Sequence, residues 1–165
     1  MPKKPLKIIG INPGTRYLGI AAFEGPELMD WRIKTLKGKW SKEKMKRAVG
    51  IISDFIERYE PCVLSIKRLH PSRNSRNLKK LVEKIKKLAR SLRFRVCQYS
   101  IKDLESFFNP EKKMNKKRLA KIVTSEYPVL LHELNKEKRN KNAYHIRMFE
   151  AVALGAVCFY QLDKR

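Results

Sequence analysis

Apolar positions in this chain first follow the patterns of strands and later the spacing of helices. Residues 6–11 are a short Ile-rich run ending in Asn12-Pro13-Gly14-Thr15, a cluster of turn residues. Residues 17–23 form a second run closed by Glu24-Gly25-Pro26, and residues 28–36 alternate loosely up to Gly38. Three runs joined by turns this short predict an antiparallel meander at the start of a sheet.

Beyond Ser41, which suits an N-cap, Met45, Ala48, Val49, Ile52, Phe55, Ile56 and Tyr59 fall at helical spacing. Lys44 stands where a capping box would place an acid, so the cap is only half-formed. Pro61 introduces residues 62–66, a short apolar run bounded like a buried strand. Residues 73–92 predict a helix with Leu78, Leu81, Val82, Ile85, Leu88, Ala89 and Leu92 on one face. Its other face carries Lys79, Lys80, Lys84, Lys86, Lys87 and Arg90. Residues 94–99 predict a strand, and 102–108, 115–127 and 144–161 predict helices. The expectation is one α/β domain over residues 1–165, with a mixed five-stranded sheet flanked by helices. Its antiparallel strands come first and its parallel strands afterwards.

Charge changes this picture more than hydrophobic content does. The 42% of hydrophobic residues is ordinary for a packed domain. Lys plus Arg number 39 against 16 Asp plus Glu, a formal net charge of +23. Such an excess repels itself unless a polyanion or salt screens it, and nucleic acid is the leading partner. No apolar run approaches the roughly 18 residues of a membrane span, and the first run is too short for a signal-peptide core. Membrane is therefore not an expected partner. Cys62, Cys97 and Cys158 are widely spaced without a CxxC pair, so neither zinc nor a disulfide framework is expected. Free thiols in a reducing cytoplasm are the expectation.

Four segments then line up in order. Gly10-Ile11-Asn12-Pro13-Gly14-Thr15-Arg16 resembles the G-[IL]-D-P-G-T opening of RuvC-type Holliday-junction resolvases, members of the RNase H-like superfamily. Gly19 falls where that family has a Gly in its second strand, and Ser65-Ile66-Lys67 where a strand ends in Glu. The 115–127 segment looks like the family's basic helix. Arg147 to Leu154 looks like its closing D-x-x-D-A-[LI]-A helix. The resemblance spans residues 7 to about 160 and implies an RNase H-like fold with metal-assisted phosphodiester hydrolysis. In such chemistry two divalent ions about 3.5–4 Å apart activate water and stabilise the leaving oxygen.

The departures fall on the acids that this chemistry needs. The four positions carried over from the family pattern are Asn12, Lys67, Arg147 and Glu150, so only the last keeps a carboxylate. The formal charge of the set goes from −4 in the family pattern to +1 here. Hard dications need anionic oxygens, so neither Mg²⁺ nor Mn²⁺ is expected and no cofactor is anticipated. Glu150 shares a helix face with Ile146, Ala153, Leu154 and Val157, which places it against the sheet. The expected arrangement has the Lys67 ammonium in a metal's space, paired with Glu150. The plainer readings are a turn role for Asn12, a solvent-facing Lys67 and a Glu150 on the surface.

Basic residues concentrate between positions 67 and 118, where 18 Lys plus Arg stand against 4 Asp plus Glu. The candidate phosphate-binding residues are Arg16, Arg68, Arg73, Asn74, Arg76, Lys79, Lys80, Lys112, Lys113, Lys116, Lys117 and Arg118. A Lys-rich surface of the kind found in heat-loving organisms is the plain alternative, but such surfaces usually balance Lys with Glu. Three functions follow. The first is a catalytically inactive RuvC-like protein that binds branched DNA or structured RNA. The second is an active metal-dependent nuclease that adds Asp103, Glu105 or Glu24 to Glu150. The third is a structural subunit of a nucleoprotein complex, with the 73–92 helix as a homodimer face.

Overall fold

The computed structural model describes residues 4–72, 74–108, 116–139 and 146–163. Five strands, β1 (Lys7–Asn12), β2 (Tyr17–Glu24), β3 (Glu27–Thr35), β4 (Val63–Lys67) and β5 (Arg95–Tyr99), form one sheet in the order β3-β2-β1-β4-β5. β1 pairs antiparallel with β2 and β2 with β3, whereas β4 runs parallel to β1 and β5 parallel to β4. The mixed sheet matches the expectation, antiparallel strands first. The helices are α1 (Lys42–Tyr59), α2 (Arg76–Ser91), α3 (Ile101–Phe108), α4 (Lys116–Glu126), α5 (Leu131–Arg139) and α6 (Ile146–Asp163).

Strand alternation sends side chains to two separate cores. Ile9, Ile11, Leu64 and Ile66 pack with Ala48 and Ile52 of α1 and with Leu81, Ile85 and Ala89 of α2. Ile8, Val63 and Tyr99 point the other way, into the layer of Leu104, Leu119, Val123 and α6. By the same alternation Asn12 and Lys67 face the α6 side. That placement is set by register alone, two residues beyond Gly10 and Ser65, which pair across β1 and β4.

The helix ends follow local chemistry. Ser41 caps α1, its Oγ accepting from Lys44 N at 3.1 Å. Lys44 does not complete a capping box: its ammonium donates to the Gly38 carbonyl at 2.6 Å and lies 6.0 Å from the Trp40 ring centroid. Helix α2 starts at Arg76 rather than 73 because Ser75 is its N-cap, accepting from Leu78 N at 3.1 Å. Leu92 lies past its end and is 45% exposed, so it leaves the apolar face predicted for it. Of the rest of that face, Leu81, Val82, Ile85 and Ala89 are buried and Leu78 and Leu88 partly buried against this fold's own core, so the face is spent within the chain.

The sequence pattern marks no element between 128 and 143, where a 3₁₀ turn (Pro128–Leu130) and α5 lie. Within α5 only Leu134 is a buried apolar residue, so no hydrophobic stripe announces the helix. Among the described residues no helix is long and apolar enough to cross a membrane.

Candidate nucleic-acid interface and the ion pair at its head

Asn12 ends β1, Lys67 ends the neighbouring parallel strand β4, and Arg147 and Glu150 occupy the first turns of α6. The three elements meet because α6 lies hard against the sheet. A Cβ on Gly10 would strike the Ala151 carbonyl, one on Gly19 the Arg147 carbonyl, and one on Gly155 the Phe23 ring. Glycine at the first two positions lets helix backbone touch strand backbone, and that contact fixes the height of Glu150 over the strand ends.

Glu150 is 1% exposed, so burying its charge requires partners. Its Oε2 accepts from Lys67 Nζ at 2.7 Å and from Asn12 Nδ2 at 2.7 Å. The Asn12 amide also donates to the Arg147 carbonyl at 3.3 Å. The expected Lys67–Glu150 pair is therefore present. Asn12 is 1% exposed and bonded across 138 residues of chain, so it is no ordinary turn residue. Glu150 is fully buried rather than on the surface. Only Lys67 keeps contact with solvent, its side chain being 24% exposed. The pair resembles other buried ion pairs in that its attraction offsets a large desolvation cost.

Arg147 adds a second cation at the rim. A Cβ on Gly14 would lie 2.5 Å from its Nη1 and 3.1 Å from its Cζ, so the guanidinium packs on the backbone of the β1–β2 turn. Among the described residues Arg147 makes no salt bridge. Its packing on Gly14 leaves no pattern in the sequence, because the contact joins residues 133 positions apart.

A hard dication is held by several anionic oxygens. One carboxylate remains, and one of its oxygens already holds an ammonium and an amide. Among the described residues no group of three or more His, Cys, Asp or Glu is gathered for a metal ion. Of the acids proposed as substitutes, Glu24 lies elsewhere and Asp103 is engaged. Glu24 pairs with Lys7, at the opposite end of β1 from Asn12, roughly 16 Å along the strand. Asp103 caps α3 by accepting from Ser100 N at 2.8 Å. Glu105 is half-buried on the same helix.

The basic candidates divide between the two layers. Arg16, in the β1–β2 turn, and Arg68, directly after β4, are exposed at the end of the sheet where Asn12 and Lys67 lie. Arg16 lies 5.7 Å from the Tyr17 ring centroid. Arg76, Lys79 and Lys80 are exposed on α2, whose apolar side packs on the far face of the sheet. Lys84, Lys87 and Arg90 continue the same ridge. From Arg76 to Arg90 it extends about 21 Å at the rise of a helix. Lys117 and Arg118 are exposed at the start of α4, in the layer of α6.

Asn74, half-buried in the loop after β4, donates through its amide to the His70 carbonyl. Arg73, Lys112 and Lys113 lie outside the described residues, and Lys116 is placed only as the first residue of α4.

No protein-family model matches the sequence, and no curated protein matches it. Solved structures do. The Thermus thermophilus RuvC in complex with a Holliday junction substrate superposes with a TM-score of 0.72 at 14% identity, over 96% of this chain and 96% of that one. The Fowlpox virus resolvase, in complex with substrate Holliday junction DNA, gives 0.56 at 15% identity, over 95% and 99%. At these identities the likeness is one of backbone. Strand order, the helix lying across the strand ends and the near-complete mutual coverage agree on one conclusion: the chain has the RuvC-type, RNase H-like fold.

Proposed function

We propose that this chain is a RuvC-like nucleic-acid-binding protein that holds branched DNA or structured RNA on a basic face and does not cut it. One observation carries the reading. The Lys67 ammonium sits 2.7 Å from the buried Glu150 carboxylate, where hydrolysis by this fold would need a dication among several acids. A cluster of that composition favours anions over cations. Lys67 and Arg147 at its rim, with Arg16 and Arg68 beside it, are suited to a phosphate of the backbone. The α2 ridge then follows further phosphates along one strand.

Binding of this kind releases counterions, with a slope of log K against log salt near −0.9 per phosphate contacted. Gel shifts on a four-way junction, a hairpin RNA and a linear duplex, each at several salt concentrations, test it. The expected result is affinity that falls steeply with salt, tighter on the branched or folded ligands, with every ligand intact in magnesium or manganese. Affinity indifferent to salt contradicts the reading. We place this activity in the cytoplasm, where free thiols persist.

One observation favours the nuclease reading. Asn12 Oδ1 is a buried acceptor that has no hydrogen-bond partner among the described residues. An oxygen so placed beside a carboxylate is a ligand that a single cation could use. Cleavage of the junction by highly purified protein, abolished by Glu150→Ala, would establish it.

A further inference from the structure

At the edge of the sheet, on the face that α6 covers, two cysteines meet. β5 is the edge strand, and its Cys97 pairs in register with Ser65 of β4. Ser65 Oγ donates to the Leu154 carbonyl of α6 at 2.8 Å, and Cys158 lies one helical turn further on. Register and helix period thus bring residues 97 and 158 together across the layer. The tight seating of α6 on Gly10 and Gly19 shortens the gap between them. Cys158 and Tyr99 lie in the buried apolar layer on this face, Cys97 packs against that layer, and neither cysteine is in a disulfide.

The pair is asymmetric. Cys158 is wholly buried, whereas Cys97 is only partly covered on the edge strand. The hydrogen bond from Cys158 holds the Cys97 thiol down at about 6, helped by Arg95 and Tyr99 on its own strand and opposed by burial. The same bond, with burial, pushes the Cys158 thiol up. One sulfur is therefore a thiolate near neutrality and its neighbour a thiol, the combination that oxidation to a disulfide through a sulfenic acid requires.

We propose that Cys97 and Cys158 are a modification site: exposed to a hydroperoxide, they close an intramolecular disulfide that ties the edge strand to the final helix. The Cys97 thiolate attacks the peroxide O–O bond, taking one oxygen as a sulfenic acid and expelling hydroxide or alkoxide, which picks up a proton. The Cys158 thiol then attacks that sulfur, and water leaves. Two thiols and one hydroperoxide become one disulfide, one water and one water or alcohol, with the peroxide oxygen as the electron acceptor. This site rests on β4, β5 and α6 and is independent of the nucleic-acid reading. Cys62, exposed just before β4 and bonded to the Lys7 carbonyl, is the internal control.

The test treats the reduced, full-length protein with a small excess of hydrogen peroxide. Intact mass, thiol alkylation and peptide mapping under non-reducing conditions then read the product. The expected product is about 2 Da lighter, retains one of the three alkylatable cysteines, and yields a peptide joining residues 97 and 158. In Cys158→Ser a dimedone-reactive sulfenic acid accumulates on Cys97, and in Cys97→Ser no cross-link forms. Unmodified protein with three free thiols overturns the proposal, as does oxidation that begins at Cys62. The wild-type map decides the matter even if a variant fails to fold.

Discussion

Helices α2 and α6 cover opposite faces of one sheet and are built to opposite rules. Seven of the 16 residues of α2 are Lys or Arg, and four residues on its inner side are buried. Helix α6 is 18 residues long with 13 buried, and its only charges are Arg147, Glu150 and Asp163. The first can exchange surface residues freely because water, or a polyanion, solvates them. The second is pressed onto strand backbone at Gly10 and Gly19, so the charge it buries, Glu150, needs an assigned partner. A charge change on α2 alters what the protein binds. A charge change at the head of α6 decides whether the fold holds together.

The largest expected effect comes from breaking the α6 side. Lys67→Met leaves Glu150 buried without its ammonium and should cost about 3–5 kcal/mol in denaturant unfolding. The double variant Lys67→Met, Glu150→Met should recover most of that loss. Next comes Gly10→Ala, whose new methyl meets the Ala151 carbonyl and should cost about 1–3 kcal/mol. On the α2 side, replacing Lys79, Lys80, Lys84 and Lys87 together with Gln should stay within about 0.5 kcal/mol per site. The same variant should weaken nucleic-acid binding and flatten its salt slope by up to about 0.9 for each phosphate no longer neutralised. Equal losses of stability on the two sides would remove the distinction.

The smallest effect is a matter of pH. With Cys97 held at about 6 against an ordinary 9.0, its thiolate dominates through neutrality. Alkylation of Cys97 should therefore rise through pH 6 and flatten before pH 8. Because the folded value is the lower one, the stability linked to it is complete above pH 9.0 and lost as pH falls through about 6.

Much of this was legible in the chain. Strand alternation and turn residues located all five strands to within a residue or two, since Asn-Pro-Gly and Gly-Pro leave few other conformations. The motif positions led to Asn12, Lys67 and Glu150, and their types were enough to anticipate an ion pair. Burial of Glu150 was readable only in part, because the glycine seats that press α6 onto the sheet act across more than a hundred residues. Helix α5 was missed because a polar helix with one buried Leu has no stripe to detect. The hydrogen bond from Asn74 to the His70 carbonyl is a loop contact that residue type does not reveal. The Cys97–Cys158 contact joins a strand to a helix by register and close seating, and cysteine spacing carries no trace of it.

The central claim is that an ammonium has replaced the metal. Calorimetric titration of manganese into the wild-type chain, paired with the triple variant Asn12→Asp, Lys67→Glu, Arg147→Asp, tests it most directly. The account predicts no saturable manganese binding by the wild type and measurable binding by the variant. Stoichiometric binding by the wild type, lost in Glu150→Gln, would contradict it.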